Sequence, residues 1–97
     1  MRVYKVDSVY DAELKVFKVI SDYDADCIVK WVDSIYDDST ELLWYHVPSR
    51  FDDSLKIFFV DSEYDCDIKI KFADSLYDVR WISEDKKNLL KNNAPQN

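Results

Sequence analysis

The chain has no glycine at all among its 97 residues, together with two prolines, two cysteines, one histidine and one methionine. Without glycine there is no phosphate-cradling glycine loop, and the Asn-Gly or Gly-Gly turns that close tight two-residue hairpins are missing too. Bends must be made from serine and aspartate, so strands that turn a corner and continue elsewhere are expected rather than a simple meander. No apolar run approaches the roughly 20 residues needed to cross a bilayer. The start, Met1-Arg2-Val3-Tyr4-Lys5, lacks the apolar stretch of a secretory signal, which predicts a cytoplasmic protein. Basic residues are few: 13 Lys plus Arg stand against 20 Asp plus Glu, a formal charge of −7. Phosphate backbones and anionic membrane surfaces repel such a chain, so the expectation is no nucleic acid and no membrane, with a basic protein surface as the natural partner.

What the chain has in quantity is repetition. The motif Ser-x-Tyr/Phe-Asp occurs six times, as Ser8, Tyr10 and Asp11; Ser21, Tyr23 and Asp24; Ser34, Tyr36 and Asp37; Ser49, Phe51 and Asp52; Ser62, Tyr64 and Asp65; and Ser75, Tyr77 and Asp78. The serines are spaced 13, 13, 15, 13 and 13 apart, and an apolar residue always stands two before each. Repeats of fixed period identify one structural unit used again and again. Behind each motif apolar and charged residues alternate, as in Leu14-Lys15-Val16 and Ile68-Lys69-Ile70, the period of a half-buried strand. Thirteen is odd, so a uniform strand would present successive copies to opposite faces. The phase must therefore reset once per copy, at a bulge or turn, and the aspartate after the aromatic is the expected turn-former. The fold class read from this pattern is mostly β: a six-copy pseudo-repeat of short antiparallel strands with Ser-x-Tyr/Phe-Asp corners. The six corner aromatics, and Trp31, Trp44 and Trp81, are expected in the core or at its rim.

The third copy is two residues longer and ends at Pro48, which cannot donate to a ladder and marks an edge or bend. After Trp81-Ile82, Ser83-Glu84-Asp85 has the form of a helix N-cap and acidic first turn, predicting a short helix over about 83–91 that docks Leu89 and Leu90 on the sheet. One domain, 1–91, with a flexible tail at 92–97, follows.

These residues resemble a known family. Val6-Asp7-Ser8-Val9-Tyr10-Asp11-Ala12-Glu13-Leu14-Lys15-Val16-Phe17-Lys18-Val19 is similar to the repeat of the septoil-knot domain of small bacterial proteins. Phe59–Asp65, Leu43–Val47, and Trp81 followed by Lys86, Lys87 and Leu89 resemble further phrases of that family. Pro48, Asp38-Ser39, Asp53-Ser54 and Cys27 depart from it. The resemblance spans about residues 3–91. It implies a single, deeply knotted, mostly-β domain of 7(1) topology with a C-terminal helix, and it implies no activity.

No catalytic set emerges. His46 has no nucleophile placed beside it by sequence. Asp22-Tyr23-Asp24-Ala25-Asp26 begins like a calcium loop, but Cys27 and Asp33 stand where glycine and glutamate are required. Cys27 and Cys66 form no C-x-x-C and read as free thiols, although a bridge stays open. The expectation is a monomeric, non-catalytic structural or protein-interaction module without cofactor or metal. The alternatives are weak cation binding along the repeat aspartates and acidic mimicry of nucleic acid.

Overall fold

The computed structural model describes residues 1–34, 40–49 and 53–91. Four of the corners lie wholly within them, and each is a single turn of 3-10 helix: Val9–Asp11, Asp22–Asp24, Glu63–Asp65 and Leu76–Asp78. The serine before each turn is extended, and its hydroxyl accepts a hydrogen bond from the tyrosine amide, at 3.2 Å for Ser8, Ser21 and Ser62 and 3.1 Å for Ser75. Serine is a favoured N-cap for this reason, worth about 0.5–2 kcal/mol over alanine. The turn-former is thus the serine rather than the aspartate. Tyr36, Asp37, Phe51 and Asp52 lie outside the described residues. No described residue has positive φ. Because these turns stay right-handed, no described position requires glycine's conformational freedom.

Strands β1 (Arg2–Lys5), β2 (Leu14–Lys18), β3 (Cys27–Val32), β4 (Leu43–His46), β5 (Leu55–Phe59) and β6 (Ile68–Phe72) join in the ring β4-β1-β5-β2-β6-β3, which closes by pairing β3 with β4. All six of these pairings are parallel. The antiparallel arrangement expected from the alternating pattern is therefore incorrect. Period-two alternation is the same for either direction, and what decides the direction here is that every connection carries the chain back to the starting end. One antiparallel pair does occur, where β7 (Arg80–Trp81) lies against the start of β3. The protein is a closed six-stranded parallel barrel with a short C-terminal helix, α1 (Lys87–Lys91), after a 3-10 turn at Glu84–Lys86. Ser83 precedes that turn without a side-chain capping bond.

Each crossover runs over the outside of a strand from elsewhere in the chain. Residues 6–13 span β5, with Val6 and Glu13 amides donating to Ile57 and Lys56 carbonyls; 19–26 span β6 through Ile70 and Lys69; 60–67 span β2 through Val16 and Lys15. At the far end of each a carboxylate closes a reciprocal clamp. The Lys56 amide donates to Glu13 Oε1 at 3.0 Å, the Lys69 amide to Asp26 Oδ2 at 2.8 Å, and the Lys15 amide to Asp67 Oδ2 at 2.8 Å. The outward face of the barrel is thereby covered, as parallel sheets require. Lys15, Lys56 and Lys69 are half-buried beneath the crossovers, and the Lys56 ammonium donates to the Ser54 carbonyl at 3.2 Å.

Neighbouring strands are offset by two residues of the repeat, always in the same sense, so equivalent positions stand at the same height. Seven before each serine come Met1, Leu14, Cys27, Leu42, Leu55 and Ile68. Five before come Val3, Val16, Val29, Trp44, Ile57 and Ile70. All twelve belong to the core cluster and none is more than 7% exposed. Leu90 of α1, fully buried, packs against the same cluster, and the turn before it is tied to the strands' N-terminal ends by a hydrogen bond from Lys86 Nζ to the Asp67 carbonyl. Helix and barrel together fill the interior with aliphatic side chains, each worth roughly 1.5–3 kcal/mol when buried.

Replacing Asp26 by alanine leaves the buried Lys69 amide without its charged acceptor, and unfolding in urea should show a loss of about 1.5–3 kcal/mol. Hydrogen exchange at the Lys69 amide should accelerate in the same variant. A loss below about 0.5 kcal/mol would remove the clamp from the account of stability.

Candidate functional site

The third inward position, three before each serine, differs from the two aliphatic layers beneath it. It holds Lys5, Lys18, Trp31, His46, Phe59 and Phe72, one from each barrel strand and none acidic. In ring order these residues alternate between cationic and aromatic through Lys5, Phe59, Lys18 and Phe72, then Trp31 and His46 complete the circle. They stand at the C-terminal mouth of the barrel, opposite the end where α1 packs.

The mouth is continuous. Lys18 Nζ lies 5.3 Å from the centre of the Phe59 ring, within cation–π range. Phe59 meets Phe72 edge-on at 6.1 Å, Phe72 stacks on Trp31 at 5.3 Å, and Trp31 meets His46 edge-on at 6.3 Å. Tyr4 stacks on His46 at 6.0 Å from the other side, and Trp44 supports Trp31 and Phe72 from the layer below. Lys5, Lys18 and His46 are exposed, while the three larger rings are half-buried. Among the described residues neither Lys5 nor Lys18 makes an ion pair. Partial burial holds the His46 imidazole below its ordinary value, and the nearby Lys5 ammonium adds to the effect.

The repeat corners occupy a second surface. Tyr10, Tyr23, Tyr64 and Tyr77 are 95%, 97%, 91% and 98% exposed, not in the core or at its rim. The reason is the crossover itself: the apolar residues of the repeat already face the barrel, and a ring on a turn laid over another strand has only solvent beyond it. Tyr10, Tyr64, Tyr23 and Tyr77 are carried over β5, β2, β6 and β3, four consecutive strands of the ring. Asp11, Asp24, Asp65 and Asp78 beside them are exposed, as is Glu63. Among the described residues no three His, Cys, Asp or Glu side chains gather as a metal site.

A groove at the end of this row is lined by Asp22, Tyr23, Lys71, Arg80, Trp81 and Ile82. Both of its cations are engaged by Asp22, whose carboxyl is held below the usual range first by the Lys71 hydrogen bond and further by Arg80. Trp81 donates its indole N–H to Glu41. The groove is internally satisfied and leaves little for a ligand.

Both cysteines are free. Burial pushes the Cys27 thiol up to about 12, with Asp26 and Glu41 adding to it. Cys66, half-buried, is also raised by burial, and its thiol donates to the Glu63 carbonyl at 3.1 Å. A thiolate is the reactive form, so native protein at pH 8 should take up one equivalent of a thiol reagent, slowly and at Cys66. Cys27 should react only as the chain unfolds; two equivalents consumed promptly would contradict this packing.

The His46 shift has a definite sign. A folded value below 6.5 means that the unfolded chain takes up the proton first, so this residue's contribution to stability is intact above pH 6.5 and declines as the pH falls below it. The imidazole resonance should titrate with a midpoint under 6.5, and Lys5→Ala should raise it without restoring it fully, because burial is the larger cause. A midpoint at or above 6.5 in the native protein would place His46 elsewhere than against Lys5 and Trp31.

The mouth layer was open to detection in the sequence, since aligning the six copies on their serines puts Lys5, Lys18, Trp31, His46, Phe59 and Phe72 in one column. The chain has no match among curated proteins and none among solved structures. A family model described as the 7(1) septoil knot domain matches residues 1–82, and the chain belongs to that family.

Proposed function

We propose that this septoil-knot domain is a non-catalytic, monomeric protein-interaction module of the bacterial cytosol that grips a basic protein segment along its row of exposed tyrosines. The observation that carries the reading is the arc of four almost fully exposed rings on turns that lie over consecutive strands, each followed by an exposed aspartate. An aromatic face beside a carboxylate suits arginine best, because the guanidinium can stack on the ring and pair with the acid. The net charge of −7 draws a cationic partner from a distance. Bare rings interrupt the acids, which favours a side-chain partner over mimicry of a phosphate backbone. A barrel filled by two aliphatic layers supports the absence of a reaction centre. Two free cysteines suit a reducing compartment. The interleaved course of the chain, which lays each crossover over a strand of the other half, supports the knot in the family's description.

Titration with a nine-residue oligoarginine, followed calorimetrically at low and moderate salt, tests the reading. Binding should weaken as salt rises, exceed that of the matching oligolysine, and fall about tenfold or more when Tyr10, Tyr23, Tyr64 and Tyr77 are all changed to serine. Exposed positions tolerate such changes, so stability should stay within about 0.5 kcal/mol per site. Equal affinity in the serine variant, or none in the parent, would reject the tyrosine row as the binding surface.

A further inference from the structure

We infer that the C-terminal mouth of the barrel is a second, separate binding site, for a small planar organic anion seated on Trp31 and Phe72 with its charged group between Lys5 and Lys18. The inference goes beyond the tyrosine row and does not depend on it.

Four observations point the same way. First, two inward layers are aliphatic apart from Trp44 and Cys27, whereas the third carries two lysines and the chain's one histidine among three aromatics. Packing alone calls for aliphatic residues there, and solubility in so acidic a chain is served as well by acids. Second, acids outnumber bases 20 to 13, yet Lys5 and Lys18 make no ion pair among the described residues. Both belong to the one layer at the mouth, Lys18 over the Phe59 ring and Lys5 close enough to His46 to disfavour its protonation, so this layer carries positive charge in a negative molecule. Third, rings line the opening: Trp31 and Phe72 are stacked on each other and only half-buried, so they offer a ligand chiefly ring edge, which suits an aromatic body edge-to-face, and Phe59 continues the apolar surface beneath Lys18. A flat apolar body packs against such rings while its anionic group meets the lysines, and His46, uncharged at pH 7, has a ring N–H to donate. Fourth, the mouth is where all six parallel strands end. Parallel barrels and open parallel sheets place their ligands at that end, because the loops leaving the strands surround an opening that the strand side chains furnish. Here the opposite end packs against Leu90 of α1, and the C-terminal end carries exposed Lys5 and Lys18.

Naphthalene-2-sulfonate is a suitable probe, titrated into the full chain and followed by amide and indole NMR signals. Shifts should concentrate at Lys5, Lys18, Trp31, His46 and Phe72, with the Trp81 indole unmoved. Inorganic sulfate and neutral 2-naphthol should each bind about tenfold more weakly, since each supplies half of the recognition. The double variant Lys5→Gln, Lys18→Gln should lose about tenfold in affinity, while Lys87→Gln, in α1 at the opposite end, should lose nothing. Because both lysines are exposed the double variant should retain the parent spectrum; if it does not, each single lysine variant should still show a partial loss. Shifts centred on the tyrosine row, equal binding of sulfate alone, or no shift by about 10 mM probe would overturn the site. Each of those results leaves the oligoarginine measurement to stand or fall by itself.

Discussion

Everything in this barrel depends on how a parallel strand gets its neighbour. Sequence-adjacent strands are not sheet neighbours here, except β3 and β4; the returns at 6–13, 19–26 and 60–67 each pass over a strand contributed by the other half. A crossover that only arched through solvent would leave its amides and carbonyls to water and the outer barrel face bare. Instead the crossover hydrogen-bonds to the strand beneath at both ends, and Glu13, Asp26 and Asp67 turn the far end into a two-bond clamp. These contacts join segments some forty to fifty residues apart. Neither half of the chain can complete its walls alone, so local turns and global closure are stabilised together.

The sequence displays some of this plainly and hides the rest for physical reasons. The serine-led corners and the inward rows Leu14-Val16, Leu55-Ile57 and Ile68-Ile70 are legible because turn capping and burial both act on residues close in the chain. Strand direction is not, since an alternating row is buried equally well by a parallel or an antiparallel neighbour. The corner tyrosines mislead for a related reason. A repeated aromatic ordinarily means core, yet Tyr10, Tyr23, Tyr64 and Tyr77 sit on turns whose inner side is already filled, and only the position of the crossover puts them in solvent. The mouth is legible only across the copies, as a column of the repeat, and not from any one residue. Lys5 and Lys18 look like ordinary outward lysines until the register pairs Lys5 with Ile57 and Lys18 with Ile70, both buried and both facing inward.

Charge is sorted by the same geometry. Carboxylates that clamp the crossovers bond to the amides of Lys15, Lys56 and Lys69, each one residue into its strand, and so gather towards the N-terminal ends. Lys5 and Lys18 of the mouth, without an ion pair among the described residues, stand at the C-terminal ends. A chain of net charge −7 thus carries an acidic, tyrosine-studded flank and a cationic, aromatic-lined opening, and the two surfaces suit ligands of opposite sign.

The two additional residues in the third copy acquire a reason from the ring order. Stepping over one strand at each return takes the chain from β1 to β2 to β3, occupying alternate places in a ring of six; another such step would land on β1 again. One step of a single place is needed to reach the unoccupied set, and it falls between β3 and β4, the one consecutive pair that are sheet neighbours. The serine spacing across that step is 15 where every other is 13. From β4 the double step resumes, through β5 and β6, into the places the first pass left open. A uniform repeat of thirteen would retrace itself and build half a barrel; the longer copy shifts the second pass by one strand, and the closed wall follows from that shift.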